Sequence, residues 1–165
     1  DESQFEWIAG NVKHQLENGS KQGFSRTNAS PFPKHLIKEF KDKDGTTFKL
    51  GILSVCITVN QPKYVHFDDV IETAKASYET LKAQTDAVIA LTHLSIDEDK
   101  VLATHLPGVP LIMGGHEHHH MKVPVGETII TKADANAKSA YIHQLRFDHK
   151  TKKLFVKSTL KDLDE

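Results

Sequence analysis

Apolar positions along the chain fall into two kinds of run. From Phe67 they recur at helical spacing, Phe67, Val70, Ile71, Ala74, Tyr78 and Leu81, and Asp68 and Asp69 sit where a helix N-terminus favours negative charge. The spacing predicts an amphipathic helix of about four turns. On either side, TFKLGILSVCITV and DAVIALTHL are almost continuously apolar and rich in β-branched residues, as in strands buried on both faces of a parallel sheet. Strand, helix and strand make a βαβ unit. The alternation continues with LSIDEDKVLATHL, where Ser95 and Glu98 form a capping box for a short helix, and GVPLIMGG, a further buried strand.

The remainder reads differently. ETIITKA, SAYIHQLRFD and KLFVKSTL have no helical stretch between them and read as antiparallel strands joined by turns such as DHKTKK. The first 34 residues carry Gly10, Asn18-Gly19, Gly23 and the Pro31-x-Pro33 pair, and are expected to be mostly irregular, with one strand near Phe5 to Val12. The fold class is therefore α/β: βαβαβ followed by antiparallel strands.

Composition narrows the setting. A chain of 165 residues with 38% hydrophobic content suits a single domain, 1–165, with a real core and no membrane segment. Its formal net charge of -1 gives no general attraction to nucleic acid or to an anionic membrane. Cys56 lies in an apolar run and reads as a packed thiol, so no disulfide framework is expected. No signal peptide is visible in DESQFEWIAGNV, which lacks both a basic start and a long apolar stretch.

The chemistry concentrates in VPLIMGGHEHHHMKVPVG. HEHHH contains the H-E-x-x-H pattern of zinc proteases, but that site needs several helical turns. Gly114 and Gly115 before it, and Val123, Pro124, Val125 and Gly126 after it, refuse the helix. In a parallel sheet, residues following the C-terminal strand ends gather along one edge. His93 follows AVIAL and His116 follows PLIM, so the two should project from the same edge, and His118, two positions on in an extended segment, should point to the side of His116. Three convergent imidazoles suit a transition metal such as Zn, Mn or Fe.

These residues resemble a known family. DAVIALTHLSIDEDKVLATHLPGVPLIMGGHEHH looks like the second half of the calcineurin-like metallophosphoesterase domain, in the branch of 5′-nucleotidases, UDP-sugar hydrolases and 2′,3′-cyclic phosphodiesterases. QFEWIAGNV and GTTFKLGILSV resemble the family's upstream F-P-W-L-S-A-N-V and G-x-K-V-G-I-I-G segments. The resemblance implies half of a metallophosphoesterase β-sandwich flanked by helices. It also implies His93 and His116 as ligands of one metal and His118 as ligand of a second, in a two-metal site that hydrolyses phosphoesters of small nucleotide-like substrates.

Three ligands are well short of the roughly seven or eight a two-metal site needs. The family's Asp-x-His, Gly-Asp-x-x-Asp and Gly-Asn-His-Glu motifs precede the A-N-V segment. Gly10-Asn11 is followed by Val12, so Asn11 reads as structural. The expectation is thus the C-terminal part of the domain: an incomplete or inactive fragment holding one metal or none, its catalytic and substrate-binding residues unassigned. The alternative is a non-catalytic metal-binding or scaffolding module. An exposed half sheet further predicts a homodimer or strand-swapped dimer, and the family's tendency is periplasmic, secreted or surface-bound. His120 is a candidate extra ligand, His119 faces solvent, Glu117 has no catalytic role, His105 suits the end of its helix, and Asp134 and Asn136 are candidates to support the ligands.

Overall fold

The computed structural model describes residues 4–25, 30–59 and 61–163. The strands in chain order are β1 (Val12–Gln15), β2 (Lys21–Gln22), β3 (His35–Lys41), β4 (Thr47–Cys56), β5 (Val65–Phe67), β6 (Ala87–His93), β7 (Leu111–Gly114), β8 (Met121–Val125), β9 (Thr128–Lys132), β10 (Ser139–Asp148) and β11 (Lys153–Asp162). Two helices, α1 (Val70–Lys82) and α2 (Ile96–His105), are the crossovers of the βαβ units.

A six-stranded sheet of order β3-β4-β6-β7-β9-β8 forms the centre. β4, β6, β7 and β9 run parallel, and β3 and β8 close the two edges antiparallel. The apolar residues of α1 and α2 cover one face around Leu53, Ala90, Leu94, Leu102, Ile112 and Ile130. The other face, with Leu50, Ile89 and Leu111, is covered by the β10–β11 hairpin through Leu145, Phe147, Leu154 and Val156. This is the two-sided burial that the continuous apolar runs predicted, and the α/β class stands.

Several boundaries differ from the sequence expectation. Phe67 belongs to β5, not to the helix; Asp69 caps α1 by accepting from the Glu72 amide. The strand expected over Phe5 to Val12 begins only at Val12, because Gly10 and Asn11 are committed to contacts with β4. A Cβ on Gly10 would lie 1.7 Å from the Ser54 carbonyl oxygen, so glycine is required there. Asn11 is completely buried and binds the backbone of Cys56 with both ends of its amide, donating to the carbonyl oxygen at 2.8 Å and accepting from the N–H at 2.9 Å. β3 and β8 were not anticipated, since neither alternates cleanly. ETIITKA supplies β9, which lies parallel to β7 inside the main sheet rather than in the antiparallel tail.

Candidate metal centre

β6 and β7 are adjacent and parallel, with Thr92 paired to Gly114, so their C-terminal ends open on the same sheet edge. His93 ends β6, and His116 lies two residues beyond β7. Their imidazoles meet edge to face with ring centroids 5.4 Å apart. An open pocket of about 650 Å³ is lined by His93, Gly114, Gly115, His116, Glu117, His118 and residues 133–135. The three histidines expected to act together therefore line one pocket, although the segment from Gly115 to His120 is irregular rather than extended. His116 itself has φ 79°, a left-handed conformation that turns the chain sharply.

Gly115 makes the turn fit. A Cβ there would lie 2.9 Å from Nδ1 of His93, and its N–H donates to the Thr92 carbonyl oxygen at 3.0 Å. His93 and His118 are exposed, and His116 borders the same open mouth, so the rings can change rotamer without repacking a core. As placed, no group of three or more His, Cys, Asp or Glu side chains among the described residues is arranged to hold a metal ion. The donor chemistry suits a divalent transition metal; convergence on one ion requires the rings to turn.

The wall of the pocket is strongly organised. His120 donates its backbone N–H to Asp134 Oδ1 at 2.9 Å and places Nδ1 2.8 Å from Oδ2. The Ser139 hydroxyl donates to the same carboxylate at 2.6 Å. Ser139 first, then His120, hold the Asp134 carboxyl down to about 2, so it is an anion at any ordinary pH. Asn136, with φ 61°, shapes the short turn behind it. His119 is exposed, as expected.

Beneath the turn lies a group with no counterpart in the sequence reading. Lys132 and Asp99 are both fully buried and form an ion pair at 2.8 Å. Lys132 also pairs with Glu117, which accepts the Ile96 N–H through its other oxygen. Burial raises the Asp99 carboxyl despite the lysine, whereas Glu117, where desolvation is outweighed by hydrogen bonds from Lys132 and Ile96, is lowered. The signal available in the sequence was a lysine closing the apolar run TIIT, an unusual residue for a buried strand. Nothing in the sequence paired it with Asp99. Cys56 is half-buried and its thiol is pushed up by burial, in keeping with a packed rather than reactive residue.

No family model matches the chain. An 82-residue region is 33% identical to the trifunctional nucleotide phosphoesterase protein YfkN of Bacillus subtilis strain 168, covering 47% of this chain and 6% of that protein. An 80-residue region is 29% identical to the metallophosphoesterase YunD of the same organism, uncharacterized by name, covering 44% of this chain and 17% of that protein. The fold superposes on the 5′-nucleotidase precursor of Thermus thermophilus with a TM-score of 0.68 at 23% identity, over 96% of this chain and 34% of the other.

Over the 82- and 80-residue regions the chain is similar to metallophosphoesterases. It spans 6% and 17% of the two Bacillus proteins it matches, and about a third of the Thermus nucleotidase. The capping box at Ser95 and Glu98 starts α2 directly after the His93 loop, and the Ile96 N–H at its first turn donates to Glu117 of the turn. His105 closes the last turn of α2, as its position suggested.

Proposed function

We propose that the pocket is the metal end of a phosphoesterase site, with His93, His116 and His118 as ligands of a divalent ion, and that the protein containing this chain hydrolyses phosphoesters of nucleotide-like substrates. The observation that carries this reading is the meeting of His93 and His116 at the ends of two neighbouring parallel strands, 5.4 Å between ring centroids. The nucleotide preference is supported by the name of the Bacillus relative, a trifunctional nucleotide phosphoesterase. A bound divalent ion supplies polarisation of a phosphoryl oxygen and a water of lowered pKa. The chain's own contribution is to hold imidazoles at one open mouth of about 650 Å³ and to keep Asp134 anionic at its wall.

Three imidazoles make an open nitrogen site. Further oxygen ligands come from a preceding segment of the domain or from a second copy. The two exposed edges of the main sheet, β3 and β8, and the outward apolar residues of the hairpin, Ile142 at 53% and Phe155 at 40% exposure, support pairing with such a segment or formation of a strand-swapped dimer. Sedimentation that gives only a monomer mass at high concentration rules out the dimer. Among the described residues no helix is long and apolar enough to cross a membrane. A site of action outside the cytoplasm is supported by the word precursor in the Thermus relative's name.

A second reading, a metal-binding or scaffolding module without catalysis, is favoured by the two carboxylates at the pocket being engaged within the protein, Glu117 by Lys132 and Ile96, and Asp134 by Ser139 and His120. Equilibrium dialysis against Mn²⁺ and Zn²⁺, followed by hydrolysis of bis-p-nitrophenyl phosphate, separates the two. Metal uptake that His93→Ala abolishes, together with turnover, supports the phosphoesterase reading; uptake without turnover supports the module; metal uptake unchanged by His93→Ala rejects the site.

A further inference from the structure

The buried ammonium of Lys132 contacts the segments on both sides of the pocket that carry its histidines. Its Nζ donates to the Leu94 carbonyl oxygen and, at 2.9 Å, to the Gly115 carbonyl oxygen. It pairs with Asp99 at 2.8 Å and with Glu117. Asp99 in turn accepts from the Thr92 hydroxyl at 2.7 Å. His93 is thereby bracketed by Thr92 and Leu94, and His116 by Gly115 and Glu117, all four tied to the Lys132–Asp99 pair. Glu117 also receives the Ile96 N–H, which joins the start of α2 to the turn. The group lies directly against Gly114, where a Cβ would come within 2.9 Å of both Asp99 Oδ2 and Lys132 Cε.

A charge buried in this way is costly unless its partners are complete. Any arrangement that separates the His93 loop from the His116 turn strips Lys132 of a partner. We infer that Lys132, with Asp99 and Glu117, is a positioning clamp that sets the spacing of His93 against His116 and His118 before any ligand arrives. This rests on the proposed metal reading only for its consequence, since the clamp itself acts on the metal-free chain. Lys132 is a positioning residue, not a catalytic one, because its Nζ is spent on two carbonyls and two carboxylates inside the protein.

The test uses the metal-free full chain. In the wild type, an NOE between the ring protons of His93 and His116 reports their spacing, and amide exchange reports the order of residues 94–96 and 115–118. Glu117→Gln removes one charge of the clamp while keeping shape, and is the variant that carries the test if Lys132→Met fails to fold. With the clamp acting as inferred, Glu117→Gln loses the NOE and speeds exchange in both segments by about tenfold or more, the loss expected for one charged hydrogen bond. Zn²⁺ affinity, read by competition with a chromophoric chelator, falls about 10- to 100-fold. An unchanged NOE with unchanged exchange in Glu117→Gln overturns the clamp. A wild type that binds no Zn²⁺ while the variant still loses the NOE overturns the metal reading and supports the clamp, and His116→Ala, which removes a ligand but no clamp contact, leaves exchange at 94–96 as in the wild type.

Discussion

The imidazole of His93 stands edge to face against that of His116, the two residues carried by neighbouring parallel strands and joined through the Gly115 N–H to the Thr92 carbonyl. This relationship places two nitrogen donors at one mouth. Replacing either histidine by alanine is expected to lower Zn²⁺ or Mn²⁺ affinity by about 10- to 100-fold or more, at least the effect of losing a supporting group around a metal ligand. Isothermal titration of the purified chain checks it; equal affinity in wild type and both variants removes the proposed site.

Gly115→Ala tests the same geometry without touching a ligand. The new methyl would sit 2.9 Å from His93 Nδ1, and the exposed His93 ring can swing away. Stability should change by less than about 1 kcal/mol, as for a surface change that a side chain can avoid. Metal affinity should fall by about tenfold because the ring is displaced from its partner. A urea midpoint beside a metal titration reads both effects.

Asn11→Ala should be a stability variant only. It strips the half-buried Cys56 N–H and C=O of their partners inside the fold, a loss of about 1–3 kcal/mol for each group left unpaired away from water. The urea midpoint should drop at unchanged slope, while the metal affinity per folded chain stays at the wild-type value.

The pH dependence has two separate windows. Burial, then the Lys122 cation, lowers the His143 imidazole below its ordinary 6.5, so the fold favours the neutral ring. That stabilisation is present above 6.5 and is lost as pH falls through the lowered folded value. Asp134, held down to about 2 from an ordinary 3.8, keeps its contribution across that range and loses it only as pH falls from 3.8 towards 2. Thermal melts of wild type between about pH 7.5 and 5 should show a decline that His143→Gln abolishes and Asp134→Asn does not. A pH response identical in wild type and His143→Gln would show that the hairpin ring is not its source.

The sequence by itself determined the local elements and their chemistry. Continuous apolar runs marked β4, β6 and β7; helical spacing marked α1 to within three residues of its start; Ser95 and Glu98 marked the capped start of α2. Each of these is encoded in neighbours within a few positions, where periodicity and capping act. The order of the βαβ units also placed His93 and His116 at one sheet edge, because right-handed crossovers leave few alternatives. Tertiary structure decided what depends on distant partners. The position of β9 beside β7 arises from pairing across the sheet, which short apolar runs do not specify. The amide of Asn11 is spent on β4 backbone far along the chain. Lys132 reads as an anomaly at the end of an apolar strand until Asp99, Glu117, Leu94 and Gly115 converge on it. A buried charge is tolerated only where its partners are assembled by the fold, and no short window of sequence contains all four.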